Sequence, residues 1–269
     1  MSAMTTGETE EMIEVIASKV HLRKGGRGRA LVILHDDVGS PGWLPFYEEL
    51  ARHFAVYVPS HPGYGKSDRP DRSQRPRWMR DVRDIAIVQS LLLRALGLDR
   101  VHVVGLGFGG WVAAEMATMC QSQFERMVLV GAMGVQPPEG EIVDQFLLDG
   151  EEYARLGIRD QGTFDQLYGN EPDVDQKETW EINREMTARI AWKPYMFNPT
   201  LSVLLQGVDT PTLIVWGSED KVVPLSCGRR YADALPNARL HIVDCCGHCV
   251  DVDRPKELAE LVIDFVGAN

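Results

Sequence analysis

The sequence predicts an α/β protein with a mostly parallel central sheet and helices on both faces. Short runs of β-branched and apolar residues, typical of strands buried on both sides, alternate with segments of helical period along most of the chain. The alternation stops over residues 134–202, which are rich in acidic, aromatic and helix-forming residues. A glycine-rich run, Gly105–Gly110, stands between a predicted strand and a predicted helix and marks the candidate site.

The first half of the chain shows this alternation clearly. Ala30–Leu34 is a continuous apolar run, as expected of a buried strand, and Phe46, Leu50 and Phe54 follow at helical spacing. The predicted elements, in order, are a hairpin of Ile13–Ile16 and Val20–Leu22, a strand at Ala30–Leu34, a helix over Trp43–Phe54, a strand at Ala55–Val58, and an amphipathic helix over Trp78–Leu96 that Gly97 ends.

The second half repeats the alternation around the interruption. Its predicted elements are a strand at Val101–Val104, a helix over Trp111–Met119, a strand at Met127–Val130, a strand at Thr212–Trp216, a helix over Leu225–Leu235, a strand at Arg239–Val243 and a helix over Pro255–Val266. We therefore predict one core made of residues 1–134 and 203–269, with residues 135–202 inserted as a helical cap.

Composition restricts the partners. The 269 residues include 28 Lys and Arg against 39 Asp and Glu, a net charge of −11, which argues against nucleic acid and anionic membranes. No apolar run reaches about 18 residues, and the acidic N-terminal segment has no apolar core of a signal peptide. With an odd number of cysteines, five, these features predict a cytoplasmic protein. We expect a small-molecule substrate or ligand as partner, and a homodimer remains open.

The glycine run fits two motifs. Gly105, Gly107 and Gly110 match the dinucleotide fingerprint G-x-G-x-x-G, whereas G-x-S-x-G, the nucleophile elbow, matches with Gly107 in the place of serine. A dinucleotide site needs an acidic residue at the end of the next strand, about 20 residues on. No acid follows Met127–Val130, and Glu125 precedes that strand. The sequence therefore favours the elbow.

An acid and a histidine farther along support this interpretation. Asp220 follows the strand that ends at Trp216, and His248 follows the next strand. The order of elbow, acid and histidine is the order of the Ser-His-Asp triad on α/β sheets. All three positions follow strand carboxyl ends, where such sheets bind ligands.

On these residues the chain resembles the α/β-hydrolase superfamily over nearly its whole length. The matching segments are Leu34–His35, Pro62–Asp68, Val104–Gly110, Val215–Pro224 with Asp220, and Gly247–His248 with Asp253–Pro255. It is most similar to the capped branch of C–C bond hydrolases, epoxide hydrolases, haloalkane dehalogenases, lactonases and small esterases. The resemblance implies the α/β-hydrolase fold, His248 as base, Asp220 as its orienting acid, and no cofactor or metal.

The chain departs from that family at two positions. Gly107 lacks the side-chain oxygen or sulfur of a covalent nucleophile, but glycine adopts the positive φ of an elbow without steric cost. Asp36 replaces the glycine that usually follows His35, and Asp37 comes next. We expect the N–H groups of Phe108 and Asp37 as oxyanion donors. The two carboxylates either face the pocket, as a base or a cation ligand, or they point to solvent or cap the loop.

The leading hypothesis is a hydrolase-like enzyme acting on a small apolar carbonyl, ester or ring substrate, with His248 activating water. Two alternatives remain: a non-catalytic ligand-binding or protein-interaction protein, and an engineered Ser-to-Gly knockout. We expect Trp180, Trp192 and Tyr195 of the cap over the pocket. The C-x-x-C spacing around His248 is interpreted as packing rather than a redox or zinc motif, and His61 as a loop residue.

Overall fold

A single sheet forms the centre of the described residues. The computed structural model describes residues 7–16, 18–68 and 79–267. In these residues eight strands pair in the order β1-β2-β4-β3-β5-β6-β7-β8. The strands are β1 Thr9–Val15, β2 Ser18–Gly26, β3 Ala30–Leu34, β4 Ala55–Pro59, β5 Val101–Leu106, β6 Phe124–Val130, β7 Thr212–Gly217 and β8 Ala238–Val243. β2 pairs antiparallel with β1 and β4, and the strands from β4 to β8 are parallel. The predicted fold class and the hairpin are confirmed.

Helices cover both faces of the sheet. They are α1 Pro45–Ala51, α2 Val82–Ala95, α3 Phe108–Cys120, α4 Gly150–Gly157, α5 Gln161–Tyr168, α6 Val174–Ala191, α7 Leu201–Leu204, α8 Leu225–Ala234, α9 Val250–Asp253 and α10 Pro255–Val266. α2 and α3 pack together over one apolar layer, and α1 and α10 pack together over the other. Burial of both faces explains why the central strands are apolar throughout.

The predicted helix boundaries needed three corrections. α1 covers Pro45–Ala51 rather than Trp43–Phe54, and a proline occupies its first position. α2 begins at Val82, because the Asp81 carboxylate accepts hydrogen bonds from Arg83 N and Asp84 N and caps the helix. The predicted start, Trp78, lies outside the described residues. α3 begins at Phe108, three residues before the predicted start, because the glycine turn leads directly into the helix.

The interruption of the alternation is helical, as predicted. α4, α5 and α6 lie between β6 and β7, and an aspartate caps the N-terminus of each: Asp149, Asp160 and Asp173 accept hydrogen bonds from backbone N–H groups of the first turn. The division of the chain into a core and an inserted cap stays a prediction. Within the described ranges, none of the helices has the length and apolar character needed to cross a membrane.

Candidate active site

The glycine run forms the sharp turn expected of an elbow. Gly107 follows β5 and precedes α3 with φ 49° and ψ −112°, the positive φ predicted for this position. Its N–H donates to the Val130 carbonyl at 2.9 Å, which ties the turn to the end of β6. A Cβ on Gly109 would overlap the backbone of Leu34, so a side chain there would separate α3 from β3. The glycines therefore permit both the turn and the close helix–strand packing.

The side chain of Asp36 fills the space next to Gly107. A Cβ built on Gly107 would overlap Oδ1 and Cγ of Asp36 and would lie 2.6 Å from Oδ2. Oδ1 accepts hydrogen bonds from Phe108 N at 2.7 Å and Asp37 N at 2.8 Å. These are the two N–H groups predicted as oxyanion donors, and in this structure both bind the Asp36 carboxylate. The alternative in which the carboxylates point to solvent is wrong, because Asp36 and Asp37 are both buried.

His248 lies between two carboxylates. Its Nδ1 is 2.9 Å from Oδ2 of Asp220, as the predicted pairing of these residues requires. Its Nε2 is 3.2 Å from Oδ2 of Asp36, an ion-pair contact without hydrogen-bond geometry. The other oxygen of Asp220 accepts from Val222 N at 2.8 Å and Val223 N at 2.9 Å. The turn after β7 therefore fixes Asp220, and Asp220 orients the imidazole.

The charges at this site favour an imidazolium between two carboxylates. Burial alone would lower the pKa of His248, but the charges of Asp220 and Asp36 outweigh burial and raise that pKa well above its usual range. Burial opposes ionisation of Asp36 as well, yet His248 and the N–H groups of Phe108 and Asp37 keep the pKa of that carboxyl below its usual value. Both shifts favour an Asp36 anion and a His248 cation.

Asp37 has the opposite character. Burial and the neighbouring charge of Asp36 raise its pKa well above the usual range, which favours the protonated carboxyl. Its Oδ2 lies 2.9 Å from Nε2 of Gln145 and 3.1 Å from the hydroxyl of Tyr153, and both groups donate to it. Gln145 and Tyr153 belong to the segment between β6 and β7. Sequence reasoning missed both, because no motif distinguishes them from other polar or aromatic residues there.

A chain of buried histidines supports the loop that carries Asp36. His35 Nδ1 donates to the backbone carbonyl of Asp36 at 2.6 Å, and His61 N donates to His35 Nε2 at 2.9 Å. His61 Nε2 donates to the His35 carbonyl, and Gln89 Nε2 donates to His61 Nδ1. Burial lowers the pKa of His35 to about 4 and that of His61 well below its usual range, so both rings are neutral. His35 thus positions Asp36 through the backbone.

The predicted cap aromatics do not converge on this site. Trp180 is buried against Phe164 and Tyr168, away from the solvent, and Trp192 is 54% exposed. The hydroxyl of Tyr195 donates to the Val143 carbonyl at 2.8 Å. None of the three predicted residues lines the cavity next to Asp36. Of the three, Tyr195 comes nearest in the bonding network, since its hydroxyl accepts from the N–H of Gln145.

A small cavity adjoins Asp36. Its volume is about 30 Å³, and its wall includes Asp36, Tyr47, Cys249 and Asp251. Such a volume holds a water molecule but no organic substrate. Burial and the charge of Asp36 raise the pKa of Asp251 to about 7.

A larger groove of about 320 Å³ lies beside the small cavity. The two share His35, Gly39 and Pro41 as wall residues, and α6 lines the far side of the groove. The loop after β3 therefore separates the groove from Asp36.

Two of the cysteines near His248, Cys246 and Cys249, have little thiolate character. Burial raises the pKa of Cys246 to about 12 and that of Cys249 well above its usual range, so both thiols stay protonated. Neither forms a disulfide. In the part of the chain that the structure describes, no group of three metal-ligating side chains comes together.

The fold and the site together define a class of protein. A parallel sheet with an elbow between β5 and α3, an acid after β7 and a histidine after β8 is the arrangement of the α/β-hydrolase class. The model of the alpha/beta hydrolase family matches residues 31–261. The chain belongs to this family.

The comparisons with individual proteins agree with that assignment. The chain is 24% identical to 2-hydroxy-6-oxo-6-phenylhexa-2,4-dienoate hydrolase of Comamonas testosteroni, over an alignment of 300 positions that includes 99% of each protein. It is 26% identical to 2-hydroxymuconate semialdehyde hydrolase of a Pseudomonas species, over 94% of this chain and 93% of that protein. Among solved structures, a serine hydrolase involved in carbazole degradation has a TM-score of 0.78 at 18% identity, covering 98% of this chain and 100% of its own. The latter similarity concerns the fold.

Proposed function

We propose that the protein is a hydrolase of small, largely apolar molecules with a carbonyl, ester or strained-ring group. The observation that carries the proposal is the buried pair of His248 and Asp220, joined at 2.9 Å at the carboxyl ends of the strands. A histidine held in this way serves as general base and general acid. Relatives named for the hydrolysis of dienoate and semialdehyde compounds support a small-molecule substrate.

In this proposal His248 activates water, because Gly107 supplies no nucleophile. Water activation requires the neutral imidazole, whereas Asp36 and Asp220 favour the protonated one. The charge on Asp36 must therefore be neutralised during the reaction. We further propose that the enzyme works in the cytoplasm without a cofactor.

A non-catalytic ligand-binding protein is the second candidate. The observation that favours it is that Asp36 already binds the two N–H groups expected to hold an oxyanion. The adjoining cavity has a volume of only about 30 Å³. An engineered knockout is a weaker explanation. The two departures from the family pattern fit each other, because the Asp36 side chain occupies the space that a side chain on Gly107 would take.

A turnover screen tests the proposal. Candidate substrates are aryl esters, a dienoate with a vinylogous ketone, and aryl epoxides, assayed with the parent chain, His248→Ala and Asp220→Asn. We expect turnover by the parent and a loss of at least about 10³-fold in His248→Ala. Asp209→Asn is the matched control, since this exposed residue precedes β7 at the opposite end of the strand from Asp220. Turnover that survives in His248→Ala contradicts the proposal, and binding without turnover favours the second candidate.

A further inference from the structure

We propose that Asp36 replaces the missing serine as nucleophile and forms an ester with an electrophilic saturated carbon, such as an epoxide carbon, which His248 and water then hydrolyse. The inference rests on the proposed function and deepens it, because it names the group that attacks the substrate. It also names the substrate class, electrophiles that react at saturated carbon. The nucleophile would come from the loop after β3 rather than from the elbow.

The position of Asp36 is the first argument. Its carboxylate occupies the space that a side chain on Gly107 would take, since a Cβ there would overlap Oδ1 and Cγ. Oδ2 faces Nε2 of His248 at 3.2 Å, the place in which a triad nucleophile meets its histidine. The order of groups is therefore carboxylate, histidine and acid, as Asp36, His248 and Asp220.

The hydrogen bonds to Oδ1 are the second argument. Phe108 N and Asp37 N donate to this oxygen at 2.7 and 2.8 Å. When water attacks Cγ of an Asp36 ester, negative charge develops on Oδ1, where these donors already lie. A substrate carbonyl finds no free donor in the same cradle, because Oδ1 holds both. The geometry thus suits a reaction at saturated carbon, in which no charge needs to develop on a substrate carbonyl oxygen.

The first step opens the ring. Oδ2 of Asp36 attacks an epoxide carbon, and the new C–O bond forms as the ring C–O bond breaks. The electron pair stays on the ring oxygen, which takes the proton from Nε2 of His248. The products are an Asp36 ester with a neighbouring hydroxyl and a neutral His248. Loss of the Asp36 charge removes one of the two anions that held the imidazole proton.

The second step releases the product. Neutral His248 takes a proton from water as the water oxygen bonds to Cγ, and the charge on Oδ1 is stabilised by Phe108 N and Asp37 N. Collapse breaks the bond from Cγ to the substrate oxygen, which takes the proton from His248 and leaves as a diol. The remaining carboxyl proton passes to His248 and restores the ion pair. The sum is epoxide plus water giving diol, with an oxygen of Asp36 in the product.

A cavity beside Asp36 has room for a water molecule, and hydrogen bonds hold the neighbouring carboxyl of Asp37 in place. The cavity of about 30 Å³ beside Asp36 has room for the attacking water. Asp37, the adjacent carboxyl, is bound by Gln145 and Tyr153. Because the cavity is too small for an epoxide, entry of the substrate requires side chains around Asp36 to move.

Trapping the ester tests the inference without knowledge of the natural substrate. His248→Gln should complete the first step slowly and fail at the second, so it should accumulate an ester with styrene oxide. Peptide mass spectrometry then finds one epoxide mass on Asp36. Asp36→Asn in the same background should carry no adduct at that position, and Asp209→Asn should behave as its parent. Circular dichroism and thermal unfolding establish that each variant is folded.

A single turnover of the parent chain in water enriched in the heavy oxygen isotope gives the second readout. Heavy oxygen should appear in Asp36 and not in the diol of the first turnover. Asp36→Asn should reduce epoxide turnover by about 10³-fold or more.

The outcomes distinguish this inference from the proposed function. Absence of an Asp36 ester with styrene oxide and with 1,2-epoxyhexane overturns the inference, as does heavy oxygen found in the diol alone. If turnover of esters or carbonyl compounds depends on His248 but survives in Asp36→Asn, the inference fails and the proposed function stands. An Asp36 ester that never turns over supports the nucleophile and contradicts the hydrolase.

Discussion

The two halves of the site differ in how closely they follow the family pattern. On one side, Asp220 and His248 lie after successive strands and meet at 2.9 Å, as the α/β-hydrolase arrangement requires. On the other side, Gly107 has no side chain, and Asp36 from a different loop occupies the space that a side chain there would take. The difference shows that Nε2 of His248 contacts a carboxylate from the loop after β3, and not a side chain from the turn before α3.

The largest effect should come from restoring the family residue. In Gly107→Ser the new side chain overlaps Asp36 and adopts a positive φ, so Asp36 must leave its hydrogen bonds or the turn must shift. We expect the overlap and the positive φ together to cost about 4 kcal/mol in the free energy of unfolding, measured with urea. The double variant Gly107→Ser with Asp36→Gly should recover at least half of the loss. Equal stability of the single and the double variant would show that the new serine side chain does not overlap Asp36.

Removing the histidine should be nearly as costly, and the cost should depend on pH. His248→Gln leaves Asp36 and Asp220 buried without their cation. This should lower the free energy of unfolding by about 3 kcal/mol at pH 6. The pKa of His248 is raised in the folded state, so its stabilisation is complete below the unfolded pKa of about 6.5 and is lost as the pH rises through the folded pKa. The difference between parent and variant should therefore shrink at pH 9.5. A difference that grows with pH would contradict the imidazolium.

Asp251 should also lose its stabilisation as the pH rises, but over a lower pH range. Its pKa is raised to about 7, so the folded state holds a proton that the unfolded state releases near pH 4. The parent chain should lose stability as the pH rises from 4 to 7, and Asp251→Asn should not share that loss. We expect the variant to gain roughly 2 kcal/mol on the parent between pH 4 and pH 8, measured by urea unfolding. Asp209→Asn, at an exposed position, should gain less than about 0.5 kcal/mol over this range.

The smallest effect should come from the segment above the site. Tyr153→Phe removes a hydrogen bond of 3.1 Å to the buried carboxyl of Asp37 and should cost about 1 kcal/mol in thermal or urea unfolding. Tyr57→Phe, a partly exposed tyrosine on β4, is the control and should change stability by less than about 0.5 kcal/mol. Equal losses in the two variants would show that the bond to Asp37 contributes nothing specific.

Some elements of the fold followed directly from local pattern. Pro255–Val266 was predicted at its observed bounds, because a proline begins it and its apolar residues recur at helical spacing. The start of α2 was not, because its cap, Asp81, lies within a run of charged residues that a periodicity argument does not resolve. Trp180 and Trp192 were expected over the pocket because they are large and aromatic. Their packing depends on contacts between helices that periodicity does not specify.

By itself, the sequence determined the fold class, the elbow and the pairing of Asp220 with His248. These depend on strand order and on residues that follow strand ends, and both are local features of the chain. Only the tertiary structure decided that Asp36 occupies the space at Gly107, with Asp37 bound by Gln145 and Tyr153. The physical reason is that side-chain direction and free volume arise where separate loops meet. Residues 36 and 107 are 71 positions apart, so no local pattern records that they share one volume.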